Sequence, residues 1–222
     1  MVFDRDLRVT ILGNSGVGKT TLIRRLKGEN IKAAPAEKTT KILVEKKKIQ
    51  LLSQKFGGFI EKRRKYKVFA VDTPGDFTLR RQWRVAMKKY KTEGVIFMLD
   101  PYQDIATQKT AMEDAYNYFL DSLDINPDKA DKQAKEATPV FYLVVNKIDL
   151  LAKKHNNDLV KAKDTARAFA DKFSDTLQVY YRMFPKAFFR EDYISVHESS
   201  YEDIDIIFEQ VKRCLYETTD DR

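Results

Sequence analysis

A glycine-bearing segment near the start of the chain has the residue types and spacing of a phosphate-binding loop. Its glycines let the backbone wrap closely, so that N–H groups point at phosphate oxygens, and the dipole of a following helix favours the same negative charge. Lys19 is expected to neutralise the β- and γ-phosphates of a nucleoside triphosphate, and the Thr20 hydroxyl to coordinate Mg²⁺. A flexible glycine turn is the alternative. The expected phosphate-binding residues are Gly13, Asn14, Ser15, Gly16, Val17, Gly18, Lys19, Thr20 and Thr21.

A second motif begins with a carboxylate at the end of a predicted strand. Asp72, Thr73, Pro74 and Gly75 follow directly after Val71. The Asp72 carboxylate would orient the water shell of a magnesium ion, and Gly75 leaves room for a backbone N–H to reach a γ-phosphate. Alone, this sequence is also typical of a turn. Its position across a predicted hairpin from the first motif favours the phosphate-binding interpretation.

A third motif, Asn146, Lys147 and Asp149, directly follows a continuous apolar run at 139–145. Such a run is suited to a central buried strand. A carboxylate at Asp149 would accept two N–H bonds from guanine, and adenine lacks that donor pair. Asn146 is expected to tie this loop to the phosphate loop, and the Lys147 stem to cover the base. A polar loop end is the alternative for this motif taken singly.

The elements that would position these motifs alternate between short apolar runs and helical patterns. This alternation indicates an α/β fold with a mostly parallel sheet and helices on both faces. A glycine pair at 57–58 favours a turn between the second and third strands, which would form a hairpin. The predicted strands are 7–12, 42–52, 66–71, 94–99, 139–145 and 193–196. The predicted helices are 19–27, 78–91, 107–123, one long helix through 166–180 and a final helix through 204–215.

Length and composition predict one domain over residues 1–222, with a basic hairpin at about 45–71 and a polar insertion at about 125–138. No apolar run reaches the ~18 residues of a membrane-spanning helix. The single cysteine, Cys214, fits a reducing compartment and favours a cytoplasmic location. Two histidines and one cysteine do not suffice for a structural zinc site. Val2 in place of glycine, and a C-terminus without a prenylation cysteine, predict no lipid anchor.

The three motifs, in this order, resemble the small GTPase superfamily of P-loop proteins. One stretch is similar to Arf-type GTPases and to the related β subunit of the signal-recognition-particle receptor; it comprises Arg80, Trp83, Arg84, Tyr90, Thr92, Gly94 and Asp100. The resemblance implies a three-layer fold, with a six-stranded, mostly parallel sheet that has one antiparallel edge strand. It also implies a guanine-nucleotide switch that binds GTP or GDP with Mg²⁺ and meets regulators and effectors through two switch regions.

The resemblance implies roles for residues outside the first and third motifs. Thr39 or Thr40 is the switch I threonine, which would contact Mg²⁺ and the γ-phosphate; the sequence does not separate the two. A guanine-capping loop is implied near Ser195–Ser200, where His197 and Glu198 replace the usual small-residue pattern. The implied catalytic residues are Lys19, Thr39, Gly75 and Asp76, and the implied metal ligands are Thr20, Thr39, Thr40 and Asp72.

Asp76 departs from the family, which usually has glutamine at this position to orient the attacking water. A carboxylate beside phosphates should repel the transition state, so slow intrinsic hydrolysis is expected. A GTP-binding scaffold with negligible hydrolysis is therefore the second interpretation. The third is a P-loop ATPase or kinase, which would require a base pocket without guanine selection.

Excess positive charge lies in one stretch of the chain. The whole chain has a formal net charge of +8, and residues 45–91 hold fifteen Lys or Arg against four Asp or Glu. The stretch covers the predicted hairpin and the following helix. It is either a solvated surface or a surface for an acidic partner, an anionic membrane or RNA.

Overall fold

The structure is a computed structural model, and it describes residues 5–29, 39–53, 62–123, 140–184, 188–198 and 201–216. Six strands form one sheet in the order β2-β3-β1-β4-β5-β6. Only β2 is antiparallel to its neighbour, and every other pairing is parallel. The strands are β1 Arg5–Leu12, β2 Leu43–Ser53, β3 Lys62–Asp72, β4 Gly94–Leu99, β5 Val140–Val145 and β6 Phe188–Tyr193. The predicted α/β fold with one antiparallel edge strand is confirmed.

Seven α-helices lie in the described part of the chain. The helices are α1 Lys19–Leu26, α2 Arg81–Tyr90, α3 Ile105–Ser122, α4 Ile148–Lys154, α5 Leu159–Ala170, α6 Ser174–Met183 and α7 Tyr201–Tyr216. Two short 3₁₀ helices, Phe77–Leu79 and Asp171–Phe173, precede α2 and α6. Among the described residues, no helix is long and apolar enough to cross a membrane.

Two hydrophobic clusters cover the two faces of the sheet. The first packs α1 and α7 against the sheet, with Leu22 and Phe208 fully buried. The second packs α2, α3, α5 and α6 against the opposite face, with Trp83 and Phe119 fully buried. Every residue of β4 and β5 is buried. For β5 this is what its continuous apolar run predicted. Because β1, β3, β4 and β5 run parallel, the loops that follow them meet at one edge of the sheet.

Several element boundaries differ from the sequence predictions. β3 begins at Lys62 and pairs with β2 from Leu43↔Asp72 to Ser53↔Lys62, which makes a longer hairpin than predicted. The predicted long helix is divided into α5 and α6 by the second 3₁₀ helix, and α4 was not predicted. The predicted helix 78–91 begins as a 3₁₀ turn and becomes α-helical only at Arg81. The predicted hairpin turn at 56–58 and insertion at 125–138 lie outside the described residues.

The last strand was placed wrongly by the sequence prediction. β6 spans Phe188–Tyr193, whereas 193–196 was predicted. The strand is at the edge of the sheet and includes Arg190, Glu191 and Asp192, so it lacks the apolar run that marks a central strand. The residues 194–198 that follow are therefore free to form a loop beside the ends of the other strands.

Candidate functional site

The loop between β1 and α1 has the backbone conformation that its glycines permit. Gly18 immediately precedes α1 and has φ 104°, in the left-handed region that favours glycine. A Cβ at this position would overlap the side-chain amide of Asn146. Only glycine therefore allows the guanine-type motif to approach the phosphate-type loop this closely.

Lys19 is the first residue of α1, and its side chain reaches back over this loop and is 6% exposed. Its Nζ donates hydrogen bonds to the carbonyl oxygens of Gly13, at 2.9 Å, and Asn14, at 2.8 Å. Burial lowers the pKa of Lys19 to about 8, and the negative charge of Asp72 opposes that shift. The loop thus presents a buried amine whose charge an added anion would stabilise.

Two hydroxyls and one carboxylate converge beside Lys19. Thr20 Oγ1 donates to Asp72 Oδ2 at 2.7 Å and lies 2.7 Å from Thr39 Oγ1, which is itself 3.4 Å from Asp72 Oδ2. The other carboxylate oxygen, Asp72 Oδ1, is buried and has no hydrogen-bond partner. Burial raises the pKa of Asp72, against the hydrogen bond from Thr20. Thr40 is exposed and lies outside this group.

These oxygen donors fit a hard divalent cation such as Mg²⁺, which prefers carboxylate and hydroxyl ligands and relies on phosphates and water for the rest of its shell. The orphaned Asp72 oxygen is the kind of group that such an ion and its water would satisfy. Among the described residues, no group of three or more His, Cys, Asp and Glu could hold a metal by itself. With one carboxylate and two hydroxyls as protein donors, an ion at this position would take further ligands from phosphate oxygens and water.

The segment after β3 contacts β1, α2 and the phosphate loop, each through a different residue. Thr73 Oγ1 donates to the Ile11 carbonyl oxygen at 2.8 Å, and Trp83 Nε1 donates to the Pro74 carbonyl oxygen at 2.6 Å. A Cβ at Gly75 would overlap the main chain of Asn14 and the Lys19 amine. The Gly75 main chain is therefore in direct contact with the loop that would hold the phosphates.

Asp76 caps the 3₁₀ helix that follows. Its Oδ1 accepts a hydrogen bond from Thr78 N at 3.0 Å and another from Thr78 Oγ1 at 2.7 Å. Asp76 also lines a cavity of about 440 Å³ together with Asn14, Gly75 and Arg80. The carboxylate thus lies next to the phosphate loop and has a local structural role as an N-cap.

Arg80 is not part of the exposed basic surface with which the sequence analysis grouped it. It is 5% exposed, and its guanidinium donates to Asp114 Oδ2 and to Asn14 Oδ1, each at 2.9 Å. Its planar guanidinium also lies over the Trp83 ring, 5.7 Å from the centroid. A buried arginine needs such partners, and these link the start of α2 to the phosphate loop and to α3.

The guanine-type motif lies at the carboxyl end of β5. The Asn146 side chain donates to the Val17 carbonyl oxygen at 2.8 Å and accepts from Val196 N at 2.9 Å. It therefore links its own loop to the phosphate loop, which is the contact that the sequence analysis expected, and it also links both to the loop after β6. Lys147 has φ 67° and donates through Nζ to Asp100 Oδ2 at 2.5 Å.

The motifs line one cavity of about 920 Å³, which is within the size range of pockets for small molecules and cofactors. Asp149 is half-buried in its wall, whereas His197 and Glu198 lie at its exposed rim. The predicted site residues that are not among its lining residues are Gly13, Asn14, Val17, Thr40, Asp72 and Asp76. The predicted site residues in the lining are Ser15, Gly16, Gly18, Lys19, Thr20, Thr21, Thr39, Gly75, Asn146, Lys147, Asp149, His197 and Glu198.

Three residues that contact the site were not among its predicted members: Asp100, Gln103 and Gln108. Asp100 binds Lys147, Gln103 binds the Ser15 carbonyl oxygen, and Gln108 holds the loop between them. The position of Asp100 after an apolar strand is a signal that could have indicated it, since the other motifs also follow strands. The two glutamines have no comparable signal in the sequence.

Comparisons with known proteins show the family of the chain. A search of curated proteins finds no match. The model of a family described as "50S ribosome-binding GTPase" matches residues 8–166, which include all three motifs and most of the chain. The chain belongs to this family of P-loop GTPases.

Proposed function

We propose that the protein is a guanine-nucleotide-binding switch that binds GTP or GDP with Mg²⁺ and hydrolyses GTP slowly. One observation carries the proposal: the phosphate loop, the segment after β3 and the Asn146 motif line a single cavity of about 920 Å³. Asp149 and Lys19 are both in its wall. The family match supports GTP as the nucleotide.

The proposed role of each residue follows from its chemistry and place. Backbone N–H groups of the phosphate loop and the Lys19 amine would bind the β- and γ-phosphates. Thr20, Thr39 and Asp72 would hold Mg²⁺, which neutralises phosphate charge. The Gly75 N–H would donate to the γ-phosphate and sense its presence. Thr39 is favoured over Thr40 because its hydroxyl lies 2.7 Å from that of Thr20 and Thr40 is outside the group.

Base selection gives the sharpest test. Wild-type protein with Mg²⁺ should bind GDP at least about a hundredfold more tightly than ADP, because adenine leaves the Asp149 carboxylate without its two donors. Asp149→Asn should weaken GDP binding and strengthen binding of xanthosine diphosphate, whose base has a carbonyl where guanine has an amino group. The control is Asp164→Asn, an exposed carboxylate on α5. Equal affinity of the wild type for GDP and ADP would exclude the proposal.

A second candidate function is a GTP-binding scaffold that hardly hydrolyses. It is supported by Asp76, which stands where the related GTPases have glutamine and whose carboxylate caps the following turn. Turnover measured beside nucleotide affinity separates the two candidates. A switch shows tight binding and a single-turnover rate that an activating protein raises, whereas a scaffold shows tight binding alone.

The partners of such a switch would include regulators and effectors that contact the regions around Thr39 and 75–91. We further propose that the basic surface of α2 contacts an anionic membrane or an acidic partner. Four of its basic residues are exposed in the structure, and α2 contains no acidic residue. The exposed residues are Arg81, Arg84, Lys88 and Lys89.

A further inference from the structure

A hydrogen-bonded loop between β4 and α3 contacts both halves of the nucleotide cavity. Gln103 Nε2 donates to the Ser15 carbonyl oxygen of the phosphate loop at 2.8 Å. At the other end of this loop, Asp100 Oδ2 accepts from Lys147 Nζ of the guanine motif at 2.5 Å. Asp100 is 1% exposed, so its carboxylate is shielded from water. Neither residue belongs to the motifs that identified the site.

Gln108 fixes both ends of the loop. It is 1% exposed on α3, and its Oε1 accepts from Asp100 N at 2.9 Å. Its Nε2 donates to the carbonyl oxygens of Asp100, at 3.0 Å, and Gln103, at 3.3 Å. Buried amides without alternative water partners hold such geometry firmly. The loop therefore forms a rigid connection between the phosphate loop and Lys147.

The Gln103 contact sets the direction of a phosphate-loop N–H group. In a planar trans peptide, the carbonyl of Ser15 and the N–H of Gly16 point in opposite directions. Since Gln103 holds the Ser15 carbonyl, the Gly16 N–H points away from Gln103. Gly16 has φ 77° and, as a glycine, adopts other conformations at little cost. Without the hydrogen bond, this peptide would be free to rotate.

We propose that Gln103 and Asp100 are positioning residues of the nucleotide site. Gln103 orients the Gly16 N–H toward the β-phosphate, and Asp100 holds the Lys147 stem in the guanine half of the cavity. The inference rests on the proposed function, because it assigns these residues to the binding of a guanosine diphosphate group. It extends the site to a loop whose residues Asp100 and Gln103 are outside the lining of the cavity.

The two residues are distinguished by comparing GDP with GMP, which lacks the β-phosphate. Gln103→Leu should weaken GDP binding about three- to tenfold and leave GMP binding within twofold of wild type, as expected for one hydrogen bond. Asp100→Asn should weaken GDP and GMP by the same factor, since a neutral acceptor binds the Lys147 amine less strongly. Calorimetric titration gives both affinities.

Gln103→Glu tests the hydrogen bond itself, because it keeps the size of the side chain but cannot donate to the Ser15 carbonyl. It should weaken GDP binding at least as much as Gln103→Leu, because it also places a negative charge beside the phosphate loop. Gln178→Glu on α6, an exposed glutamine outside the cavity, should match the wild type. Thermal unfolding of the nucleotide-free variants checks that each is folded.

A Gln103→Glu variant with wild-type GDP affinity would overturn the inference, as would equal losses for GDP and GMP in Gln103→Leu. If the wild type itself binds neither nucleotide, the proposed function fails. If the wild type binds GDP and the variants bind it equally well, only the positioning role fails.

Discussion

At the residue scale, the chemistry of the site depends on the charged side chains that lie beside the phosphate loop. Asp76 follows Gly75, whose main chain contacts the phosphate loop, so its carboxylate is close to where a γ-phosphate would be. The hydrogen bond that the Asp76 carboxylate accepts from Thr78 holds it at the start of the 3₁₀ helix. A negative charge there opposes the charge that develops on the transferred phosphoryl group.

Asp76→Gln should raise the single-turnover rate of GTP hydrolysis by about tenfold or more, because it removes the negative charge and supplies an amide that can orient water. Rapid-quench measurement on preloaded protein gives the rate. Asp76→Asn is the matched control, since it removes the charge and keeps an acceptor for Thr78. A flat or lower rate in Asp76→Gln would mean that Asp76 itself assists hydrolysis or that the water is held from elsewhere.

Lys19 gives a pH dependence whose direction follows from its burial. Its pKa is about 8 in the nucleotide-free protein, and bound phosphates raise the pKa because they favour the charged amine. The protonated form is therefore the binding form. GDP affinity should be constant up to about pH 7.5 and fall about tenfold per pH unit above pH 8.

Titrations between pH 6.5 and 9, in buffers of different ionisation enthalpy, should show proton uptake on GDP binding at pH 8.5 and none at pH 6.5. Lys19→Met should bind GDP weakly at every pH, and its GDP affinity should not fall above pH 8. Proton release at pH 8.5, or the same slope in Lys19→Met, would show that another group titrates.

At the element scale, α2 is the part of the structure most directly connected to the motif after β3. Trp83 is fully buried on α2 and donates to the Pro74 carbonyl oxygen. Its ring packs edge-on against that of Phe97, with 6.4 Å between the ring centroids. Arg80 connects the start of the same helix to Asn14 and Asp114. A shift of Gly75 toward a γ-phosphate would therefore change the surroundings of the indole.

The emission of Trp83 should differ between protein loaded with GDP and protein loaded with a non-hydrolysable GTP analogue, by about 10% or more in intensity or a visible shift in wavelength. Trp83 is the single tryptophan of the chain, so the signal has one source. Trp83→Phe is the blank. Superimposable spectra would argue against a nucleotide-dependent movement of α2.

At the scale of the whole molecule, charge is distributed unevenly. Residues 45–91 hold fifteen basic and four acidic residues, and the rest of the chain has a slight acidic excess. Burial of Arg80 removes one of these charges from the surface, and Arg84 is 3.2 Å from Asp121. The remaining exposed residues of α2 still form a basic surface without an acidic residue on the helix.

Binding to vesicles with anionic lipid should be strong at low salt and fall steeply as salt rises, since each basic residue near such a surface contributes about 1 kcal/mol. Charge reversal at Arg81, Lys88 and Lys89 should reduce binding by at least about tenfold. Charge reversal at Lys154, Lys163 and Lys172, exposed on the far helices, is the control with equal net charge. If the protein does not bind the anionic vesicles at low salt, the proposed membrane contact is wrong and the basic residues of α2 form an ordinary solvated surface.

The sequence by itself determined the order of the motifs and the type of fold. The glycine spacing before Lys19 reflects the backbone conformation of one loop, and the continuous apolar run of β5 reflects the burial of one strand. Both patterns can be recognised in a single continuous segment. The α/β fold was predictable for this reason, whereas the single antiparallel edge strand was implied by the resemblance to small GTPases. β6 was misplaced because an edge strand needs no apolar run, and its charged residues resemble a loop.

Only the tertiary structure decided which side chains meet across long separations. It placed Thr39 rather than Thr40 beside Thr20, buried Arg80 against Asp114, and joined Gln103 to Ser15 over 88 positions of chain. Such contacts depend on how the loops and helices pack at the edge of the sheet, and two adjacent residues of the same type, such as Thr39 and Thr40, look alike in sequence. The physical reason is that burial and partner geometry are properties of the folded assembly of elements, which no single segment encodes.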